Sequence, residues 1–226
     1  ASHDLQEPLR SISSFIQILE RRYAPVLDDD GQEFMGYVTE GAQRMQKLIN
    51  ELQDYTRVGR ITREMERVDL NHILELARSN LRTKIEESNA ELIIPELPHL
   101  VADLRQMIQL FQSLIDNSLK FQGEEPPRIV VECQDRITHW EFAVADNGIG
   151  VDPQYADRIF IIFQRLHTRD NYVGNGIGLA ICKKIVERHN GTIRMDSKYT
   201  GGARFTFMLP KRMKKPEPID RAPKMS

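Results

Sequence analysis

The first 58 residues carry the strongest constraint on the fold. Leu5, Leu9, Ile12, Ile16, Leu19 and Tyr23 follow one another at spacings of 4, 3, 4, 3 and 4. After a break, Met35, Val38, Ala42, Met45, Ile49, Leu52 and Thr56 repeat the pattern at 3, 4, 3, 4, 3 and 4. A strict seam of this kind marks helices that pack knobs-into-holes, where a generic amphipathic helix would show a broader stripe. Pro25 and the run Asp28-Asp29-Asp30-Gly31 separate the two helices, and Asp30 with Glu33 three residues on predicts a capping box for the second. Two such helices on a short loop form an antiparallel hairpin that cannot bury both seams alone. Residues 1–58 are therefore predicted to pair with a second copy as a four-helix bundle.

If Leu9 and Ile16 occupy heptad position a, and Leu5 and Ile12 position d, His3 falls at b, toward solvent. An exposed histidine near a helix end usually has no further meaning. Here Asp4 follows it directly and can orient the imidazole and keep it basic. Pro8 lies within the same helix, where a proline costs about 3 kcal/mol and usually bends it.

Residues 59–66 lose the seam, are charged and contain Gly59, so they read as a linker. From 67 to 212 short strands and helices mix. Val68–Leu70, Glu91–Ile94 and Leu100–Val101 are predicted strands, and Asp69 and Asp103 are predicted helix caps. The helix after Asp103 holds Met107, Leu110, Phe111, Leu114 and Ile115, with Asn117 amid the apolar run. Asn117 and Lys120 share a face: an amide oxygen suits Mg²⁺ and an ammonium suits a polyphosphate, although both are also ordinary surface residues. Arg128–Cys133 and Thr138–Val144 read as a hairpin that runs into Asp146-Asn147-Gly148-Ile149-Gly150. A carboxylate at the end of a buried strand needs a partner. The exocyclic amine of a purine between glycine walls fits; a plain turn is the simpler account of this stretch alone.

Further on, Gly174-Asn175-Gly176-Ile177-Gly178-Leu179 opens a helix after the polar segment 168–173. Free N–H groups at such a helix start make an anion site. A dinucleotide-type turn would follow a strand directly, so the polar segment reads as a lid over phosphates. Arg165, His167 and Arg169 are within reach of those phosphates or are simply solvated. Gly191–Met195 and Gly202–Pro210 are predicted as two closing strands, and the basic, proline-containing stretch 213–226 as a flexible tail.

The formal charge of −2 shows none of the basic excess of a nucleic-acid binder. No apolar run is long enough to span a bilayer. Cys133 and Cys182 have no metal-type spacing, and a reduced, cytoplasmic protein with two buried thiols is expected. The helical pattern is already under way at Ala1, which reads as the start of a segment from a longer protein, so the cytoplasmic part of a membrane-bound sensor is also compatible.

Five stretches carry a family resemblance. Ser2–Arg10 resembles the H box of sensor histidine kinases, particularly those downstream of phytochrome-like and PAS-type sensors. Leu114–Phe121 resembles their N box, Ile159–His167 their F box, and Asp146–Gly150 and Gly174–Gly178 their glycine boxes. The resemblance runs in order from Ser2 to about Leu209. It implies an α+β chain: an antiparallel helical hairpin forming a dimeric four-helix bundle, then an α/β sandwich of the histidine kinase/gyrase type with helices on one face of a mixed sheet. It implies His3 as phosphoacceptor with Asp4 beside it, Mg²⁺ on Asn117, and ATP against Asn117, Lys120, Phe121, Asp146, Gly148, Gly150, Phe163, Arg165, His167, Gly174, Gly176, Gly178 and Leu179. It further implies a response-regulator receiver domain as partner and a sensor domain upstream.

Two positions depart from the family. Ser113 stands where relatives often carry a second Asn, and where ATP-hydrolysing cousins carry a Glu that activates water. Glu7 stands where many relatives carry a Thr or Asn that positions water for phosphatase activity. The alternatives are an ATP-hydrolysing conformational switch on the same fold and a non-catalytic dimer scaffold. His3-Asp4 and the missing Glu argue against the first, and the intact Asn117, Lys120, Asp146 and glycines against the second.

Overall fold

The computed structural model describes residues 2–60, 65–164 and 175–211. They fall into two compact units, Ala1–Thr62 with Asp157–Lys184, and Arg63–Ala156 with Ile185–Ser226.

The first unit contains helices α1 (Ser2–Tyr23) and α2 (Asp29–Arg60), joined through a short 3-10 turn at Ala24–Val26. The seam divides by column. Leu9 and Ile16 are buried with Ala42, and Met35 and Ile49 pack against them. These are the residues that recur every seventh position on the inner side of each helix. The alternate column, Ile12, Leu19, Val38 and Met45, is 44–52% exposed, and Tyr23, which ends the inner column, is 44% exposed. Phe15, Ile18, Phe34 and Tyr37, outside the seam, widen that apolar surface. At the other end Asn50 Oδ1 accepts from Gln6 Nε2 at 3.0 Å and Gln46 Nε2 at 3.2 Å, tying α1 to α2.

The predicted capping box at Asp30 does not form. Asp28 caps α2 instead: its Oδ1 accepts from the Gly31 N–H at 2.9 Å and its carbonyl from Gln32 at 3.0 Å. Leu27 is extended after the 3-10 turn, so the next residue already stands at the cap position. Glu33 accepts from the Tyr37 hydroxyl. Pro8 lies inside α1 without ending it, although it cannot donate to the carbonyl of Asp4. The helix α2 runs on through Arg60, past position 58.

In the second unit β1 (Glu66–Asp69) leads into α3 (Leu70–Asn80), α4 (Arg82–Glu87), β2 (Glu91–Ile93), β3 (His99–Ala102) and α5 (Leu104–Lys120). Then come β4 (Arg128–Asp135), β5 (His139–Asp146), the end of α6 (Gly178–Arg188), β6 (Thr192–Met195) and β7 (Arg204–Pro210). Strands β1 and β3 form an antiparallel pair. The others form a mixed sheet ordered β2-β4-β5-β7-β6, in which only β2 and β4 run parallel. The helix caps form as predicted: Asp69 accepts from Asn71 at 2.9 Å and Asp103 from Gln106 at 3.2 Å.

The apolar faces of α3 and α5 supply Leu70, Ile73, Leu74, Ala77, Met107, Leu110, Phe111, Leu114 and Ile115, all fully buried. Phe142 stacks on Phe207 across the β5–β7 register at 5.0 Å, and Phe111 meets both rings edge-on at 6.3 and 5.7 Å. Strand β5 is not simply one-sided, because Ala143 and Ala145 are buried along with Phe142 and Val144. On the face of Ala143, Arg204 bridges Glu132 at 2.6 Å and Asp196 at 3.1 Å. Only one of the two thiols is fully buried. Cys182 is; Cys133 is half-buried, and burial, with Asp135 adding to it, pushes its thiol up to about 11. No helix among the described residues is long and apolar enough to cross a membrane.

Candidate functional site

Asp146 ends β5 with only 5% of its surface exposed. Its carboxylate is held from three directions. Oδ1 accepts from the N–H of Gly148 at 3.0 Å and of Ala203 at 2.9 Å, while Oδ2 accepts from the hydroxyl of Ser118 on α5 at 2.8 Å. The Asp146 N–H in turn donates to the Ala203 carbonyl at 2.9 Å. A carboxylate surrounded by donors in this way is a fixed acceptor, suited to an N–H group on a ligand. Ser118 is absent from the set of residues marked in the sequence. A serine inside an apolar helix gives no signal beyond its own polarity, and here its partner lies 28 positions away.

The first glycine turn is built as tightly as the sequence suggests, but for a different reason at Gly148. A Cβ there would lie 2.2 Å from the carbonyl of Phe121, so the close approach that Gly148 permits is by the end of α5, not by a ligand. The same Phe121 carbonyl accepts from Ile149 at 3.0 Å. A Cβ on Gly202 would meet the Asp146 carbonyl at 2.1 Å, and Gly150, at φ +72°, faces Gly202 in turn. Between these turns lies a recess of about 460 Å³ lined by residues 148–152 and 199–202. Asn147 is a staple: it accepts from the Arg128 N–H at 2.7 Å and donates to the Pro126 carbonyl at 3.1 Å.

Asn117 and Lys120 stand on the last turns of α5, both partly buried. The Lys120 ammonium lies 4.3 Å from the centre of the Phe121 ring, a cation–π contact. Phe121 caps the helix, its N–H donating to the Asn117 carbonyl at 2.9 Å. The donor set fits the groups expected here. Lys120 supplies a cation suited to phosphate, and one amide oxygen from Asn117 suits Mg²⁺, which keeps waters and takes its other ligands from phosphates.

The remaining predicted residues belong to the first unit or lie outside the described residues. Phe163 is 55% exposed at φ +65°, an uncommon backbone state for an aromatic residue, and its N–H donates to the Gly176 carbonyl at 3.0 Å. Gly176, at φ +70°, lies against the Gln164 carbonyl, which a Cβ would meet at 2.6 Å. Gly178 opens α6, and Leu179 follows it, partly buried. In the same unit Asn175 donates to Glu51 at 3.2 Å, and Lys184 donates to the Tyr55 carbonyl at 2.7 Å while lying over its ring at 4.1 Å. His3 and Asp4 lie in the first turn of α1, with their side chains outside the described residues. Arg165, His167, Arg169, Gly174 and the tail 213–226 also lie outside them.

Comparison with known proteins covers most of the chain. Residues 102–213 match the family described as histidine kinase-, DNA gyrase B-, and HSP90-like ATPase, and residues 1–61 match the His Kinase A (phospho-acceptor) domain. The phytochrome-like protein Cph1 of Synechocystis is 45% identical over 93% of this chain, and cyanobacterial phytochrome A of Nostoc is 46% identical over 93%. The chain spans 28% of the length of each of these relatives. Among solved structures, full-length ShkA in complex with AMPPNP superposes with a TM-score of 0.71 at 24% identity, over 94% of this chain and 45% of that one. The mycobacterial sensor histidine kinase MprB gives 0.55 at 27% identity, over 66% of this chain and 99% of that one.

Proposed function

The chain belongs to the sensor histidine kinases of two-component signalling, and from that premise we propose that it transfers the γ-phosphoryl group of ATP to its own His3 and then to a receiver-domain aspartate. The observation that carries this reading is Asp146, an almost wholly buried carboxylate whose protein contacts are all donors, beside a recess between glycine turns. The 6-amino group of adenine donates to it. Lys120 and the turn 174–178 that opens α6 hold the phosphates by charge and by free N–H groups. Phe121, Gly148, Gly150, Phe163, Arg165, His167 and Leu179 complete the nucleotide surface. Mg²⁺, held by Asn117, would supply neutralisation of the phosphate charge.

In the first step a neutral ring nitrogen of His3 forms a bond to the γ-phosphorus as the bond to the bridging oxygen breaks and ADP leaves. Asp4 polarises the ring. In the second, a carboxylate oxygen of the receiver aspartate takes the phosphoryl group and frees the imidazole. The protein's share of the work is positioning and charge neutralisation, which suits phosphoryl transfer. Residues 1–58 act as the dimerisation and phosphotransfer part, 67–212 as the nucleotide-binding part and 59–66 as the link. The exposed column of the hairpin seam supports a homodimer through 1–58. A sensor domain upstream and a cytoplasmic setting, where ATP is available, follow from the same reading.

Incubation with γ-labelled ATP tests the proposal. The expected result is an acid-labile, base-stable label on the wild-type chain that falls below about 1% in His3→Gln and Asp146→Asn. Label retained by His3→Gln rules out that acceptor. Steady ATP hydrolysis untouched by the same change would favour an ATPase switch.

A further inference from the structure

We propose that Ser118 is a positioning and specificity-determining residue, whose hydroxyl fixes Asp146 so that the site selects a 6-amino purine over a 6-oxo purine. The inference rests on the reading of Asp146 as the acceptor for adenine, and deepens it.

Ser118 is 1% exposed, and its Oγ lies 2.8 Å from Asp146 Oδ2 and 3.3 Å from the Leu114 carbonyl. A bond to the carbonyl four residues back is the ordinary habit of a mid-helix serine. The distances decide against it here. A hydroxyl has one proton. If that proton went to Leu114, lone pairs of Oγ would face a carboxylate oxygen at 2.8 Å, acceptor against acceptor. The proton therefore lies toward Asp146.

Counting acceptor sites then shows what remains for a ligand. Both lone pairs of Oδ1 are taken by the N–H groups of Gly148 and Ala203. Of the two on Oδ2, Ser118 takes one. A single acceptor direction is left, and the carboxylate cannot turn about its Cβ–Cγ bond without losing all three donors. On the adenine reading, that direction takes one N–H of a 6-amino purine and opposes the carbonyl oxygen of a 6-oxo purine. Without the hydroxyl, Oδ2 has two open sites, the carboxylate is restrained on one side only, and water can compete for it. A site built to hydrogen-bond a ligand group discriminates most strongly when its own polar atoms have no alternative partner.

The test is nucleotide binding to wild type, Ser118→Ala and Ser118→Cys, with ATP and inosine triphosphate titrated in the presence of Mg²⁺. Ser118→Ala is expected to weaken ATP about tenfold and inosine triphosphate less than twofold, with Ser118→Cys, a weak donor of similar size, intermediate. In autophosphorylation KM for ATP should rise about tenfold with kcat within twofold of wild type. Equal loss for both nucleotides, or no loss for ATP, in whichever variant folds, would overturn the proposal. Asp146→Asn is the control for the premise. If wild type binds no ATP, or Asp146→Asn binds it as well as wild type, the adenine site itself is wrong, a result distinct from failure of Ser118.

Discussion

The hairpin and the sheet dispose of their apolar side chains in opposite ways. In the sheet unit Phe111, Phe142 and Phe207 are enclosed to within 1% of complete burial, beneath the apolar faces of the helices that cover them. In the hairpin one column of the seam, Leu9 and Ile16 with Ala42, is inside, and the other, Ile12 and Leu19 with Val38 and Met45, remains at the surface. One core closes on itself; the other leaves an apolar column open, the surface through which the proposed dimer would pair. On that proposal, stability of the sheet is a property of a single chain, whereas that of the bundle depends on how much chain is present.

The sharpest way to break this contrast is to damage the closed core. Phe207→Ala removes a ring that contacts two others, and should cost about 4 kcal/mol, a large share of the stability of a small domain. Urea unfolding followed at Trp140, on the neighbouring strand, should show the loss to the same extent at micromolar and at hundred-micromolar protein. A loss that faded at high concentration would mean that the sheet too relies on a second copy. Next in size is the open surface. Ile12→Ser combined with Leu19→Ser should weaken self-association at least a hundredfold, taking roughly 2 kcal/mol per buried aliphatic side chain. The urea midpoint at Trp140 should not move. Sedimentation that shows an unchanged dimer would place the interface elsewhere.

The smallest effect sharpens the picture inside the sheet unit. His189 is buried; its Nδ1 donates to the Ile185 carbonyl at 2.7 Å and its Nε2 accepts from the Asp103 N–H at 3.1 Å. Burial pushes its pKa below the ordinary value, against the Ile185 carbonyl and the Asp103 carboxylate, which pull it up. The unfolded chain therefore binds a proton more readily than the folded one. Stability from this group is complete above the ordinary histidine pKa and declines as pH falls below it, by at most about 1.4 kcal/mol per unit. Melting temperature should drop between pH 7.5 and 5.5, and drop less in His189→Gln. An equal drop in both would assign the pH dependence to other groups.

Much of this architecture is legible in the residues themselves, and the failures have physical causes. The seam, the caps at Asp69 and Asp103 and the β4–β5 hairpin depend on neighbours within a few positions, which is what periodicity and cap chemistry report. The cap of α2 went astray because three consecutive aspartates offer the same chemistry, and the turn before them chooses Asp28. Gly148 was legible as a close approach, but only the fold reveals that the approaching group is the Phe121 carbonyl. Ser118 and His189 were not legible. Ser118 sits on the buried side of α5 and His189 just past the end of α6, and each has a partner, 28 and 86 positions away, that no local pattern brings to it.

The two backbone bonds that clamp Asp146 also set a place in the order of folding. Gly148 is two residues from Asp146, but Ala203 is 57 away, and it reaches the carboxylate only once β7 has joined β5. That pairing closes a far longer loop than the β4–β5 hairpin does, and contacts of such separation form late and slowly. An intermediate holding only the local hairpin lacks the finished acceptor. Nucleotide bound to the finished acceptor then stabilises the chain whose central sheet is complete over any form in which β7 has not joined β5.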